Sequence, residues 1–406
     1  MKRREFIVLI GGAAAALPLA PALAEKQYGP GVTDTEIKLG QTMPYSGPAS
    51  AFGAVGLTMT AYLKMINDKG GIRGRTLDLI SLDDGYSPPK SVEQIRRLVE
   101  QEQVLFIASP LGSAPNLATR KYLNSNKVPT IFAISGLATF GDRANYPWTI
   151  GWLPTFEGEA RIYAKYILQN APNAKICIFY QNDDLGRDYV HGVESELGDR
   201  AKTMIVAMQS YELSAPTVDS QIGILKASGA DTLINASTSK FATQSIRTAY
   251  DIGWRPLQFL SYTSASVAGV MIPAGPEKAE GIISSTYFKD PSDPQWAADP
   301  EYREYVAFMS KYRPGVSTSD TFNLAGYLLA ASLVKLLERC GDNLTRDNVM
   351  EPALKLDVDI PMLLPGIKLH TSATDFYPIK SLQLQRFDGK SSFVLFGDVM
   401  NASPQN

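Results

Sequence analysis

The chain has 406 residues, 45% of them hydrophobic and 20% charged, with a formal net charge of −2. That is a globular mixture, too apolar for disorder and too long for one ordinary core, so two lobes are expected. No lysine or arginine cluster occurs beyond the first few residues, which argues against nucleic acid or an anionic membrane surface as a partner.

Residues 1–24 read as an export signal. Arg3 and Arg4 are adjacent, Ile7 to Ala22 is uncharged, and Ala22-Leu23-Ala24 sets small residues where a signal peptidase cuts. The Arg-Arg-x-Phe head is of the twin-arginine type, which moves folded proteins. Gly11, Gly12 and Pro18 interrupt an apolar run shorter than the roughly 20 residues of a bilayer span. Cleavage after Ala24 and a mature protein in the periplasm are therefore expected.

Beyond the signal, short apolar runs alternate with helical patterns. Glu36–Met43 alternates with period two, and Leu57, Ala61, Tyr62, Met65 and Ile66 fall on one helical face. A strand is expected at Thr76–Leu82. A helix follows with Ser91 and Gln94 as its capping box and Val92, Ile95, Leu98 and Val99 as its stripe. Strands recur at 104–108, 129–134, 175–180, 204–207, 232–235, 258–261 and 281–286. Helices are expected around 159–168, 241–252 and 321–339, and a hairpin at 379–387 and 392–396 turns on Asp388-Gly389. The pattern predicts an α/β fold of two parallel-sheet lobes with the ligand site in the cleft between them.

Little points to catalysis. The only histidines, His191 and His370, stand far apart, and no nucleophile elbow, phosphate loop or metal-ligand spacing occurs. No metal, no cofactor and no enzymatic activity are expected. Asp83-Asp84 and Asp183-Asp184 each follow a strand, where carboxylates more often cap the next helix than do acid–base work. Cys177 in a strand and Cys340 at a helix end read as buried free thiols.

Several motifs come in order: Tyr45-Ser46-Gly47-Pro48, Phe52-Gly53, Ile66-Asn67-Asp68-Lys69-Gly70-Gly71-Ile72-Arg73-Gly74-Arg75, and Asp83-Asp84 before Pro88-Pro89. Tyr180-Gln181-Asn182-Asp183-Asp184-Leu185-Gly186, Lys226-Ala227-Ser228-Gly229-Ala230-Asp231 and Leu384-Gln385-Arg386-Phe387-Asp388-Gly389 continue the set. Together they resemble the periplasmic leucine/isoleucine/valine-binding proteins, the type I solute receptors of ABC importers. The resemblance implies two doubly wound lobes joined by a three-crossover hinge, 34–148 with 289–370 and 149–288 with 371–399. It also implies a monomer that closes over a small ligand and delivers it to ABC permease subunits in the inner membrane. An exported α/β enzyme and a sensory receptor of the same fold are the alternatives.

Residue by residue, the resemblance carries a carboxylate-holding loop to Leu111, Gly112 and Ser113. A second loop falls at Ser135, Gly136 and Leu137, and an aromatic lid at Phe52. Three positions depart from amino-acid binders: Leu185 and Thr238 stand where aromatic contacts are common, and Thr263 stands where an acid neutralises the ligand ammonium. Asp183 or Asp184 is the substitute if the ligand is an amino acid. Carboxylate-holding groups kept and ammonium-holding groups lost imply an acid without an amine, of the aromatic or aliphatic kind. Trp152 is expected in the pocket, while Tyr146 and Trp148 read equally well as core and hinge packing.

Overall fold

The computed structural model describes residues 26–403, so the expected export signal lies outside the described residues. Two sheets organise the chain. The first is a five-stranded, wholly parallel sheet in the order Thr76–Asp83, Glu36–Met43, Ile107–Ala108, Thr130–Ala133, Thr149–Gly151. The second has seven strands. Ile205–Tyr211, Ile176–Gln181, Thr232–Ala236, Leu257–Leu260 and Ile283–Thr286 run parallel, and the hairpin Ser381–Phe387 and Phe393–Asn401 adds two antiparallel strands at the far edge.

Strand sequence follows position in the sheet. Thr232–Ala236, in the middle, is buried throughout, as expected of a parallel strand covered on both faces. Ile205–Tyr211, on the edge, alternates and turns Val206 and Met208 to water. It runs longer than the expected 204–207 because it pairs with Ile176–Gln181 as far as Tyr211.

Between the sheets the chain crosses three times, near residues 152–155, 287–299 and 371–380. The middle crossing returns the helices Pro300–Tyr312 and Thr321–Cys340 to the first lobe. There Tyr62 packs 5.6 Å from Phe308 and 5.0 Å from Tyr327. This packing corrects the expected face of the helix Gly53–Asp68. Its buried stripe is Val55, Met59 and Leu63, and Leu57 is 48% exposed. Gly326 is the cause: a Cβ there would lie 2.4 Å from the Val55 carbonyl oxygen, so the two helices meet along that line.

A second correction concerns the helix Pro88–Arg96. It starts at the two prolines after Ser87, which fit a first turn that needs no N–H partners. Ser91 is therefore inside the helix, and its Oγ donates to Asp84 Oδ2 at 2.7 Å instead of capping. Helix Phe156–Asn170 also begins earlier than expected, at Thr155, whose Oγ1 accepts from Gly158 N at 3.1 Å. The same hydroxyl donates to the Ala402 carbonyl at 2.7 Å, so the last described residues are fastened to the first crossing. Cys177 and Cys340 are buried and free, and burial pushes both thiols up to about 12.

Candidate functional site

A cavity of about 80 Å³ lies between the lobes, room for roughly five to eight water-sized positions. Its wall is built from loops and helix starts, most of them following the carboxyl ends of strands, the usual ligand position in open α/β sheets. Phe52, Tyr86, the turn Leu111-Gly112-Ser113, Ile134 and Leu153 come from the first sheet. Leu185, Thr238, Tyr262, Thr263, Tyr287 and Phe288 come from the second, and Phe322 with its helix closes one side. The surface is overwhelmingly apolar and no lining residue carries a formal charge.

Seven of the eleven expected positions meet at this wall: Phe52, Leu111, Gly112, Ser113, Leu185, Thr238 and Thr263. Four stand elsewhere. Ser135 is one step behind, its Oγ 2.9 Å from Ser113 Oγ. Gly136 is pressed against the first crossing, where a Cβ would lie 2.6 Å from the Pro154 carbonyl oxygen, and Leu137 is buried in the core. Trp152 is fully buried too, edge-on to Phe132 at 5.3 Å, so its bulk fills the core and not the pocket. Tyr146 lies under the Arg120 guanidinium at 3.7 Å, and Trp148 packs against the core.

On the first lobe the polar groups are two hydroxyls and the start of a helix. Gly112 adopts φ 107°, which favours glycine, and a Cβ there would come within 2.7 Å of Tyr86 Cε2. That turn starts the helix Ser113–Ser125 at the cavity, with the positive end of its dipole toward the lining. Ser113 N–H donates to the Tyr86 hydroxyl at 3.4 Å. Tyr86 itself has φ 60°, a strained value that aims its ring across the cleft.

On the second lobe each wall threonine is backed by a buried chain. Thr238 Oγ1 donates to Gln181 Oε1 at 3.3 Å, and Gln181 Nε2 donates to Asp183 Oδ2 at 2.5 Å. Thr263 Oγ1 lies 2.8 Å from Ser261 Oγ, which is 2.6 Å from the Tyr189 hydroxyl, and Tyr189 donates to Glu159. Glu159 is fully buried. It also accepts from Tyr163, from Ser285 Oγ at 2.5 Å and from Tyr262 N at 3.0 Å. Burial pushes its carboxyl up to about 7 against the pull of those donors.

The acidic pairs hold loops. Asp183 caps the helix Asp184–Leu197 through Leu185 N and Gly186 N, and Asp184 pairs with Arg187 at 3.0 Å. Asp83 gathers Tyr45 N, Ser46 and Lys90, while Asp84 accepts from Tyr86 N at 2.9 Å. None of the four lines the cavity. Among the described residues no group of His, Cys, Asp and Glu is placed to hold a metal ion. The lobes also touch outside the cavity: Ala138 N donates to Asp188 Oδ2 at 2.9 Å, and Ser266 Oγ to Asp320 Oδ1 at 3.0 Å.

Sequence reasoning missed Tyr86, Tyr262, Tyr287, Phe288 and Phe322 in the wall. Tyr86 carried a usable signal, following Asp84-Gly85 directly after a strand. Tyr287 occupies the matching place after Ile283–Thr286.

The profile of the family described as "Periplasmic binding protein" matches residues 36–391. A Leu/Ile/Val-binding protein homolog 7 from Brucella abortus is 23% identical over 79% of this chain and 82% of its own length. Among solved structures, a branched chain amino acid ABC transporter protein from Thermus thermophilus with bound valine superposes with TM-score 0.81 at 16% identity, covering 91% of this chain and 97% of that one. A fatty acid ABC transporter substrate-binding protein from Thermomonospora curvata gives 0.79 at 22% identity, covering 93% and 95%. These likenesses establish the fold, and the profile match over most of the sequence establishes the lineage. The chain belongs to the periplasmic binding protein family.

Proposed function

We propose that this protein is a non-catalytic periplasmic receptor of an ABC importer that captures a small carboxylate without an amine. On this reading the lobes are 34–148 with 289–370 and 149–288 with 371–399, the signal is cleaved, and a monomer presents the loaded cleft to membrane permease subunits. One observation carries the ligand class: a helix N-terminus and Ser113 stand on one wall, with no acidic side chain anywhere on the lining. A buried ammonium without a carboxylate partner loses several kcal/mol, whereas a ligand carboxylate is well served by a helix N-terminus. Among the structural neighbours, one is named for fatty acids and one holds valine. The uncharged wall favours the first kind of ligand, and the small volume favours a short or ring-shaped body.

A thermal-melt screen of the mature protein tests the reading with valine, leucine, benzoates, coumarate and medium-chain fatty acids. A ligand at about 100 times its Kd stabilises by roughly 2.7 kcal/mol. A shift with acids and none with valine or leucine is expected, and the reverse would sink the amine-free assignment. Ser113→Ala should then weaken the bound acid by roughly 1–3 kcal/mol, measured by titration calorimetry, because a hydroxyl paired with a buried charge is lost.

A further inference from the structure

We infer that the Tyr86 hydroxyl is a ligand-holding group, which joins Ser113 in gripping the carboxylate and makes the site select an acid over its neutral amide. The inference rests on the receptor reading above and adds a residue to its binding machinery.

Tyr86 is held where it stands at a conformational cost. Its φ of 60° lies in the left-handed region, which a bulky side chain rarely adopts, and such strain persists only where neighbours enforce it. Two acids at the end of the strand Thr76–Asp83 enforce it here. Asp83 Oδ1 accepts from Gly85 N at 3.1 Å, and Asp84 Oδ1 accepts from Tyr86 N at 2.9 Å. Asp84 is itself fully buried and anchored by Ser91 Oγ at 2.7 Å. The ring is thereby laid on the bare side of Gly112, and its hydroxyl is brought to the first residue of the helix Ser113–Ser125.

The hydrogens then decide the chemistry. A backbone N–H only donates, so the 3.4 Å contact with Ser113 N uses the phenolic oxygen as acceptor. Burial, aided by Asp183, pushes the phenol up, and hydrogen bonds from Gln181 across the cleft and from Ser113 N pull it back. Both of those bonds serve the oxygen. Among the described residues nothing accepts the Tyr86 hydrogen, although the residue is only 6% exposed. Tyr262, also on the lining, is different: its hydrogen is spent on the Pro154 carbonyl at 2.8 Å. A buried O–H without an acceptor costs free energy, and an anionic oxygen in the cavity removes that cost. The lining has no basic side chain, so a carboxylate there depends on neutral donors, and Tyr86 and Ser113 stand together beside the helix start. A primary amide gains less, because its one oxygen is uncharged and its nitrogen brings two further donors to the same end.

Calorimetric affinities for benzoate, 4-coumarate and octanoate, each beside its primary amide, test this in the mature wild-type protein and in Tyr86→Phe. The variant should bind an acid roughly ten-fold more weakly, the value of a hydrogen bond to a charged group, and the matching amide less than about three-fold more weakly. Phenylalanine keeps the ring on Gly112, so melting curves of the two unliganded proteins should nearly superpose. A merely structural role for the ring would weaken acid and amide alike. Unchanged affinity for the acids, or equal losses for acid and amide, overturns the role of the Tyr86 hydroxyl alone. Binding of none of the three acids to the wild type, or of valine in their place, overturns the acid-receptor reading beneath it as well.

Discussion

Glu159→Ala is expected to lower the unfolding free energy by roughly 3–5 kcal/mol, the largest loss foreseen for a single substitution here. Glu159 sits at 0% exposure and collects donors from four different parts of the second lobe. With the carboxylate gone, Tyr163 still reaches the Leu260 carbonyl and Tyr189 still reaches Ser261. Ser285 Oγ and Tyr262 N have no other acceptor and would be left buried and unpaired, beside a new cavity. Glu159→Gln keeps one acceptor oxygen and should lose less than half as much. Urea unfolding of the three proteins measures this, and an alanine variant within about 1 kcal/mol of wild type would remove Glu159 as the anchor of the network.

The same residue gives a pH signature whose sign follows from linkage. The folded carboxyl keeps its proton to about pH 7, while the ordinary value is 4.5. Between those limits the folded state binds the extra proton, so this group makes the protein less stable as pH rises across the window and adds no slope above it. Asp188 and Asp290, pushed up by burial to about 6, contribute in the same direction. The part due to Glu159 is the wild-type slope of unfolding free energy against pH minus that of Glu159→Gln, and it should be negative between pH 5 and 7 and vanish at pH 8.

Thr263→Glu should abolish binding of simple acids, with a loss of at least about two decades in affinity. The new carboxylate would share an apolar space of about 80 Å³ with the ligand's own, and no basic side chain lines that space to separate them. The same variant should acquire affinity for valine or leucine, since it supplies the ammonium partner that the natural wall lacks. Calorimetry with benzoate and valine on the two proteins reads both effects. Unchanged benzoate affinity would place the ligand away from Thr263.

Much of the fold is legible in the residues because period and burial coincide. The run Glu36–Met43 forms the expected strand, alternating over Glu36–Leu39 and then buried throughout from Gly40, the helix Thr321–Cys340 ends one residue past its expected limit, and Asp388-Gly389 turns the hairpin with Gly389 at φ 75°. Leu57 shows where periodicity runs out: a helix packed on two sides has two apolar faces, and the sequence does not say which is shared. The site shows the same limit more sharply. Phe52, Ser113 and Thr263 were placed by likeness of motif, while Trp152 and Tyr287 differ only in that one fills a core and the other faces a void. Both are buried aromatics next to a crossing, and that distinction depends on how two lobes meet. Glu159 is hidden for another reason. A glutamate in the first turn of a helix reads as a solvated dipole partner, and only Tyr189, Tyr262 and Ser285, brought from far along the chain to join Tyr163 of its own helix, make it a buried one.

The route of the chain also governs when the protein becomes complete during synthesis. All strands of the first sheet have emerged by Gly151, yet the helix that covers Gly53–Asp68 is not made until Cys340. The second sheet waits longer still, because its last two strands end at Asn401 and Ala402 fastens Thr155 from 247 positions away. Neither lobe can finish until most of the chain has been made. Folding must be a late, concerted event with long loops to close, which predicts slow refolding and an exposed, aggregation-prone sheet in any chain interrupted before its final hairpin.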